Sequence, residues 1–160
     1  MKTTHRKAAH HKRQSRGIYG GVILLMRNSP YSEADLADKI NPIRDSFAAI
    51  KAGAATPVDL ENMDIAMTTT LGYARSIDAL VVLTATVARD AIGRCWERYQ
   101  HTGRWGWDGP ALQAMEDGID LHEQMLRQST PADMMAAARL ETSVVPWKAI
   151  AAALAHQGGD

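Results

Sequence analysis

Four residues on two predicted helices have types and spacing that could bind a metal ion: Glu97, His101, His122 and Glu123. Glu97 and His101 lie four residues apart on one predicted helix, and His122 and Glu123 follow on the next. Di-metal bundles take a carboxylate and a histidine from each of two helices, but their Glu-x-x-His spacing is missing here. A glutamate and a histidine at this spacing more often share a surface hydrogen bond. The pattern therefore predicts no metal site and no cofactor.

Motifs for other catalytic chemistry are missing from the sequence as well. The chain contains no HExxH, no glycine-rich phosphate loop, no GxSxG and no pair of CxxC motifs. Its single cysteine, Cys95, lies on an apolar helix face, which favours a core position. Because Arg94 and Arg98 are near in sequence and a cation can activate a thiol, a reactive thiol is the alternative. One cysteine excludes an intramolecular disulfide, so a cytoplasmic protein is expected. We predict that the protein is not an enzyme.

Basic residues are concentrated at the N-terminus. Residues 1–27 contain seven Lys and Arg and no acid, whereas residues 28–160 contain 18 acids and 11 cations, a net charge of −7. This charge separation predicts an arm that binds nucleic acid or a nucleoprotein, and a solvated tail is the simpler alternative. Such phosphate contacts are salt-sensitive and carry little sequence specificity. The predicted contacts are Lys2, Arg6, Lys7, Lys12, Arg13 and Arg16.

The apolar run GIYGGVILLM follows the arm at residues 17–26. It is shorter than the roughly 20 residues that cross a bilayer, and no small-x-small cleavage site follows it, so neither a membrane span nor a secretory signal is predicted. We expect it to pack on the body as a strand or a short helix, and the sequence leaves the two open. Residues 1–30 therefore form the arm and apolar segment, and residues 31–157 form one helical domain.

Composition and helix-start signals predict an all-α, single-domain bundle of about five helices. Ser or Thr followed three residues later by Asp recurs before the apolar stretches, twice with Pro in between. Pro42 inside the first helix predicts a kinked helix or two stacked helices. The expected caps are Ser32, Thr56, Ser76 or Asp78, Asp108 and Thr130.

Apolar residues spaced three and four apart predict the buried helix faces. The predicted face of the third helix is Leu80, Leu83, Val87, Ala91, Ile92, Cys95 and Tyr99, followed by a stop at Gly103. Methionines at 115, 125, 134 and 135 fit either a core or an adaptable partner groove. The run MMAAARL leaves close packing or self-association open, so a homo-oligomer is a further alternative.

The stretch HTGRWGWDGP connects the third and fourth helices and contains Trp105 and Trp107. Because its glycines allow a sharp turn, both rings can fold between the helix ends as a hydrophobic plug, which is the favoured interpretation. The alternative is an exposed stacking platform for nucleic-acid bases beside Arg104.

Acidic residues cluster at the fourth helix. They could mask a basic partner and make the protein an inhibitor of a host defence complex, similar to an anti-CRISPR protein, or they could form an ordinary solvated face. Together with the turn, the predicted partner surface comprises Arg104, Trp105, Trp107, Asp108, Glu116, Asp117, Asp120 and Glu123.

Two stretches of the chain, together with the basic arm, resemble a family of small, mostly uncharacterised proteobacterial proteins. The stretches are INPIRDSFAAIKAGAATPVDLENM and RYQHTGRWGWDGPALQAMEDGIDLHEQML. The most specific shared pattern is an R-x-x-x-TGRWG-x-DG turn, here Arg98 to Gly109. The resemblance spans most of residues 40–128 and implies a prophage or plasmid accessory protein that acts on nucleic acid or host defence machinery. It implies no catalytic residues.

Overall fold

The computed structural model describes residues 28–147, and these residues form an all-α bundle, as predicted. The described residues exclude the basic arm and the apolar segment up to residue 27. Of the predicted tail helix after Pro146 they include only Trp147. The helices in this part of the chain are α1 Glu33–Lys51, α2 Pro57–Ala74, α3 Ala79–Thr102, α4 Gly109–Gln128 and α5 Pro131–Ala137.

Side-chain caps begin the helices where the sequence predicts them. Ser32, Thr56 and Thr130 each donate a backbone N–H to the Asp three residues later, at 3.1, 2.7 and 2.9 Å. The Asp78 carboxylate accepts N–H groups at the start of α3, and the Asp108 carboxylate does so at the start of α4. These bonds satisfy amides that have no partner inside the helix, so local sequence determines the helix starts.

Helix α1 continues through Pro42 as one helix, so the alternative of two stacked helices is wrong. Proline has no N–H for the carbonyl of Asp38, but both residues are exposed, and water can hydrate that carbonyl. Ile40 and Ile43 remain buried on either side of the proline. The apolar face therefore passes the proline without a break.

Helix α2 is the central helix of the bundle. Eleven of its 18 residues are buried, and it packs against α1, α3, α4 and α5. Met63 and Met67 from α2 meet Ile92 from α3 and Met115 from α4 in the main core, and all four are fully buried. A helix surrounded on most sides must be apolar around most of its circumference.

The predicted face of α3 is wrong over its first turns. Leu80, Leu83 and Val87 are 72, 58 and 42% exposed, whereas Ala88 is fully buried. Helices α3 and α4 approach so closely here that a Cβ added at Gly118 would lie 2.5 Å from the Cβ of Ala88. Only small side chains fit into that contact, so the larger ones face outward.

Candidate functional site

The tryptophan turn is a hydrophobic plug. The Trp105 ring stacks on Tyr99 with a centroid distance of 3.8 Å and an interplanar angle of 6°. The Trp107 ring stacks on Phe47 at 6.0 Å. Both indoles are half-buried and pack against the main core together with two further tryptophans, Trp96 and Trp147. The geometry follows the plug prediction, and Tyr99 covers one face of the ring that a stacking platform would use.

The charged residues of the turn have different surroundings. Arg104 is exposed, and its backbone N–H donates to the Thr102 hydroxyl at 3.2 Å. Asp108 accepts the Ala111 N–H at 2.6 Å and forms an ion pair with Arg94 at 3.3 Å. Asp108 is therefore engaged in starting α4 and joining it to α3.

Several acids of the predicted partner surface lie beside cations. Glu123 forms ion pairs with Arg44 and Arg127, and Glu116 lies 3.8 Å from Lys51. The pairs with Arg44 and Lys51 link α4 to α1, and the pair with Arg127 lies within α4. Each exposed pair adds little stability, but its cation offsets the local negative potential.

The other two acids of this surface, Asp117 and Asp120, are exposed and have no ion pair within residues 28–147. Asp117 accepts a hydrogen bond from Gln113 at 2.9 Å. Helix α4 therefore presents mixed charges rather than a continuous acidic surface, which gives less support to the inhibitor alternative.

The four residues considered for a metal site do not converge. His122 faces inward against Thr70, whereas Glu97 and His101 on α3 are exposed. Within the described part of the chain, no group of three or more His, Cys, Asp or Glu side chains is placed to hold a metal ion. Cys95 is 2% exposed, and burial raises the pKa of its thiol, which fits the predicted core position.

A buried carboxylate that was not among the predicted site residues holds the chain after α5. Asp64 is fully buried and accepts hydrogen bonds from the Ser143 hydroxyl and from Trp147 Nε1, the latter at 2.8 Å. Thr68 Oγ1 and the Val144 N–H lie 3.4 Å from the same carboxylate. The available sequence signal was an acid within the apolar stretch of α2, but its partners Ser143 and Trp147 are about 80 residues away and no local pattern identifies them.

A groove of about 990 Å³ opens between α1, α2, α4 and α5. Its apolar walls include Ile43 from α1, Ile65 and Ala66 from α2, Leu126 from α4 and Met134 from α5. An adaptable methionine groove was one alternative predicted from the sequence. Met134 and Met135 line this groove, whereas Met115 and Met125 are buried in the core.

His122 is the most deeply buried polar side chain in the groove wall, at 5% exposed. Its Nδ1 lies 2.7 Å from Thr70 Oγ1, and the Thr70 hydroxyl donates its proton to the Ala66 carbonyl at 2.8 Å. The threonine oxygen must therefore accept from Nδ1–H, which leaves Nε2 as the unprotonated nitrogen. Burial lowers the pKa of His122 to about 4, so the ring is neutral at pH 7.

Nε2 of His122 has no hydrogen-bond partner within residues 28–147. The groove thus combines apolar walls with one deeply placed hydrogen-bond acceptor. Such a combination is typical of sites that bind small organic molecules.

None of the helices in the described part of the chain is long and apolar enough to cross a bilayer. No family model matches the chain, and no curated protein or solved structure matches it either.

Proposed function

We propose that the protein is a non-enzymatic helical binding protein whose basic arm engages nucleic acid or a nucleoprotein. The supporting observation is the separation of charge along the chain. Residues 28–147 contain 17 acids and 10 cations, whereas residues 1–27 contain seven cations and no acid. Phosphates are repelled by the body and attracted by the arm.

Ion pairs within the body engage most of its cations with carboxylates, which leaves fewer cations there to contact phosphates. The cations that face a carboxylate are Arg44, Lys51, Arg75, Arg89, Arg94 and Arg127. The remaining four cations of residues 28–147 form no ion pair there: Lys39 on α1, Arg98 and Arg104 at the tryptophan turn, and Arg139 after α5. One adjacent pair and two single cations do not provide a continuous path for a phosphate backbone.

The resemblance of the tryptophan turn adds a biological setting to this proposal. It suggests an accessory protein of a prophage or plasmid that acts in the cytoplasm on nucleic acid or on a nucleoprotein complex of the host. The cation spacing of the arm suits backbone contacts rather than base recognition.

A salt series with the full-length protein tests the proposal. Fluorescence anisotropy with mixed-sequence single- and double-stranded oligonucleotides measures Kd between 50 and 200 mM salt, a range over which six to ten phosphate contacts lose about 10³-fold or more in affinity. Six contacts to duplex DNA correspond to a slope of about −5 in log K against log salt. Absence of binding at the lowest salt concentration would contradict the proposal.

Two charge-matched variants locate the contacts. One replaces four arm cations by Gln (Lys7, Lys12, Arg13 and Arg16), and the other replaces the four unpaired body cations (Lys39, Arg98, Arg104 and Arg139). We expect the arm variant to reduce the size of the duplex slope by about 4, and the body variant to retain it. Equal losses would show that net charge, and not the arm, attracts the nucleic acid.

A homo-oligomer is a second candidate, favoured by an apolar stripe on α3. Leu80, Leu83 and Val87 lie three and four residues apart on this helix and face outward, with Ile77 just before it. A second copy pairing along the stripe would bury it. Light scattering over a concentration series should then show a dimer that Leu83→Lys disrupts and Val58→Lys, at an exposed apolar position on α2, does not. A single-chain mass at every concentration would exclude this candidate.

A further inference from the structure

We propose that the groove between α1, α2, α4 and α5 binds an uncharged, mostly apolar organic molecule that donates one hydrogen bond to Nε2 of His122. This inference does not depend on the arm. The groove volume of about 990 Å³ is large enough for a ligand of drug-like size. Four helices contribute to its walls, so the bundle itself forms the site.

The apolar part of the ligand would contact side chains from three of these helices. Ile65 from α2, Leu126 from α4 and Met134 from α5 line the groove, and Met134 can adjust its shape because its side chain is unbranched. Gly72 allows α5 to approach α2, since an added Cβ would lie 2.8 Å from the Ala137 carbonyl carbon. The wall formed by α5 is therefore held close to α2 by backbone packing before any ligand binds.

The polar requirement on the ligand follows from His122. Thr70 accepts the Nδ1 proton, and the neutral ring then has only the lone pair of Nε2 to offer. Nε2 makes no hydrogen bond within residues 28–147 and is not among the inaccessible unpaired atoms there, so a ligand hydroxyl or N–H that reaches it adds a hydrogen bond. An anion would meet a lone pair instead of a donor, so the ring selects for a ligand that donates a hydrogen bond.

Exposed polar residues at the groove agree with a ligand that has no net charge. Asp35 and Lys39 both line it, one turn apart on α1, and their charges oppose each other. The Asp35 carboxylate already accepts from the Ser32 backbone and hydroxyl. Neither side chain adds a net charge that would select for a charged ligand.

Calorimetric titration of the full-length protein with para-hexylphenol and para-hexylanisole tests this inference. The two compounds have nearly the same shape, but only the phenol has a donor. We expect the phenol to bind up to about tenfold more tightly, which is the effect of one additional net hydrogen bond. The ¹⁵N resonance of His122 Nε2 should shift on addition of the phenol and much less on addition of the anisole.

Two kinds of variant separate the hydrogen bond from the apolar contact. His122→Phe should remove the preference for the phenol while retaining binding of both compounds. Ile65→Lys places a charge in the groove wall at a side chain that is 57% exposed, so the fold should persist while both affinities fall. Val58→Lys is the matched control, because Val58 is 61% exposed on the same helix and does not line the groove.

Three results would overturn the inference. Equal affinity for both compounds would show that Nε2 of His122 does not contact the ligand. Equal effects of Ile65→Lys and Val58→Lys would place any binding outside the groove. Failure of the full-length chain to bind either compound would mean that the groove takes no such ligand.

Discussion

At the scale of single residues, two buried polar side chains carry most of the specific chemistry of the body. His122 and Asp64 both lie in apolar surroundings, and each is tolerated there for a different reason. His122 stays neutral and donates to Thr70, whereas the Asp64 carboxylate is surrounded by hydrogen-bond donors. Burial of either group without these partners would oppose folding.

The depressed pKa of His122 predicts a loss of stability in mild acid. The pKa is about 4 in the folded protein and 6.5 in the unfolded chain, so the unfolded state binds more protons between these values. This contribution is complete above pH 6.5 and is lost as the pH falls through 4. Urea unfolding should show a decrease of about 3 kcal/mol over this range.

Carboxylates contribute to a separate pH window. Hydrogen bonds from Ser32 and Thr130 lower the pKa of Asp35 and of Asp133, so their effect is lost below their ordinary value of 3.8. His122→Gln should therefore flatten the dependence between pH 4 and 6.5, while His101→Gln, at an exposed position, should leave it unchanged. A steep slope that survives in His122→Gln would contradict this assignment.

Asp64 predicts a large effect of a single substitution. Asp64→Ala leaves the Ser143 hydroxyl and Trp147 Nε1 without their acceptor, and we expect a loss of about 3 kcal/mol in unfolding free energy. The segment from 138 to 147 should also become more sensitive to proteolysis. Asp90→Ala, an exposed change on α3, should cost less than about 0.5 kcal/mol. Similar losses in both variants would refute the role of Asp64.

At the scale of helices, close backbone approach decides which side chains fit. Gly72 on α2 faces the Ala137 backbone, whereas no atom lies within 4 Å of a Cβ added at Gly93 on α3. Gly72→Ala should therefore push α5 away and cost about 1–3 kcal/mol. Gly93→Ala should stabilise the protein by about 0.5–1 kcal/mol, since alanine is the better helix former. Thermal unfolding of both variants checks the sign, and a stabilising Gly72→Ala would contradict the contact.

The orientation of α3 predicts a contrast between two large apolar residues. Ile92 is fully buried and Leu83 is 58% exposed. Ile92→Ala should cost about 2–5 kcal/mol, and Leu83→Ala less than about 0.5 kcal/mol. Denaturant unfolding at low protein concentration keeps the measurement free of self-association. Equal losses would mean that the first half of α3 is turned as its sequence pattern predicts.

At the scale of the whole molecule, charge and packing are distributed over different parts of the chain. Residues 1–27 contain cations and no acid, whereas the body has a net negative charge and many of its cations form ion pairs with carboxylates. The groove lies on the helical body and is lined by four of the helices described here. Nucleic-acid binding through the arm and ligand binding in the groove are therefore separable proposals, and each can fail without the other.

Local signals in the sequence determined the helices themselves. Cap residues such as Ser32, Thr56 and Asp108 specify helix starts through contacts within three residues, and the apolar spacing of α1, α2 and α4 specifies their buried faces. The plug formed by Trp105 and Trp107 was also predictable, because the glycines allow a sharp turn and burial of two large apolar rings between the helix ends is favourable.

Only the tertiary structure decided the features that depend on distances between helices. The outward turn of Leu83 follows from how closely α3 meets α4, and the role of Asp64 follows from partners about 80 residues away. The groove and the acceptor of His122 arise from four helices and a single Thr70 contact. Periodicity within one helix contains no information on how near its neighbours lie, so a pattern read along the chain could not identify these features.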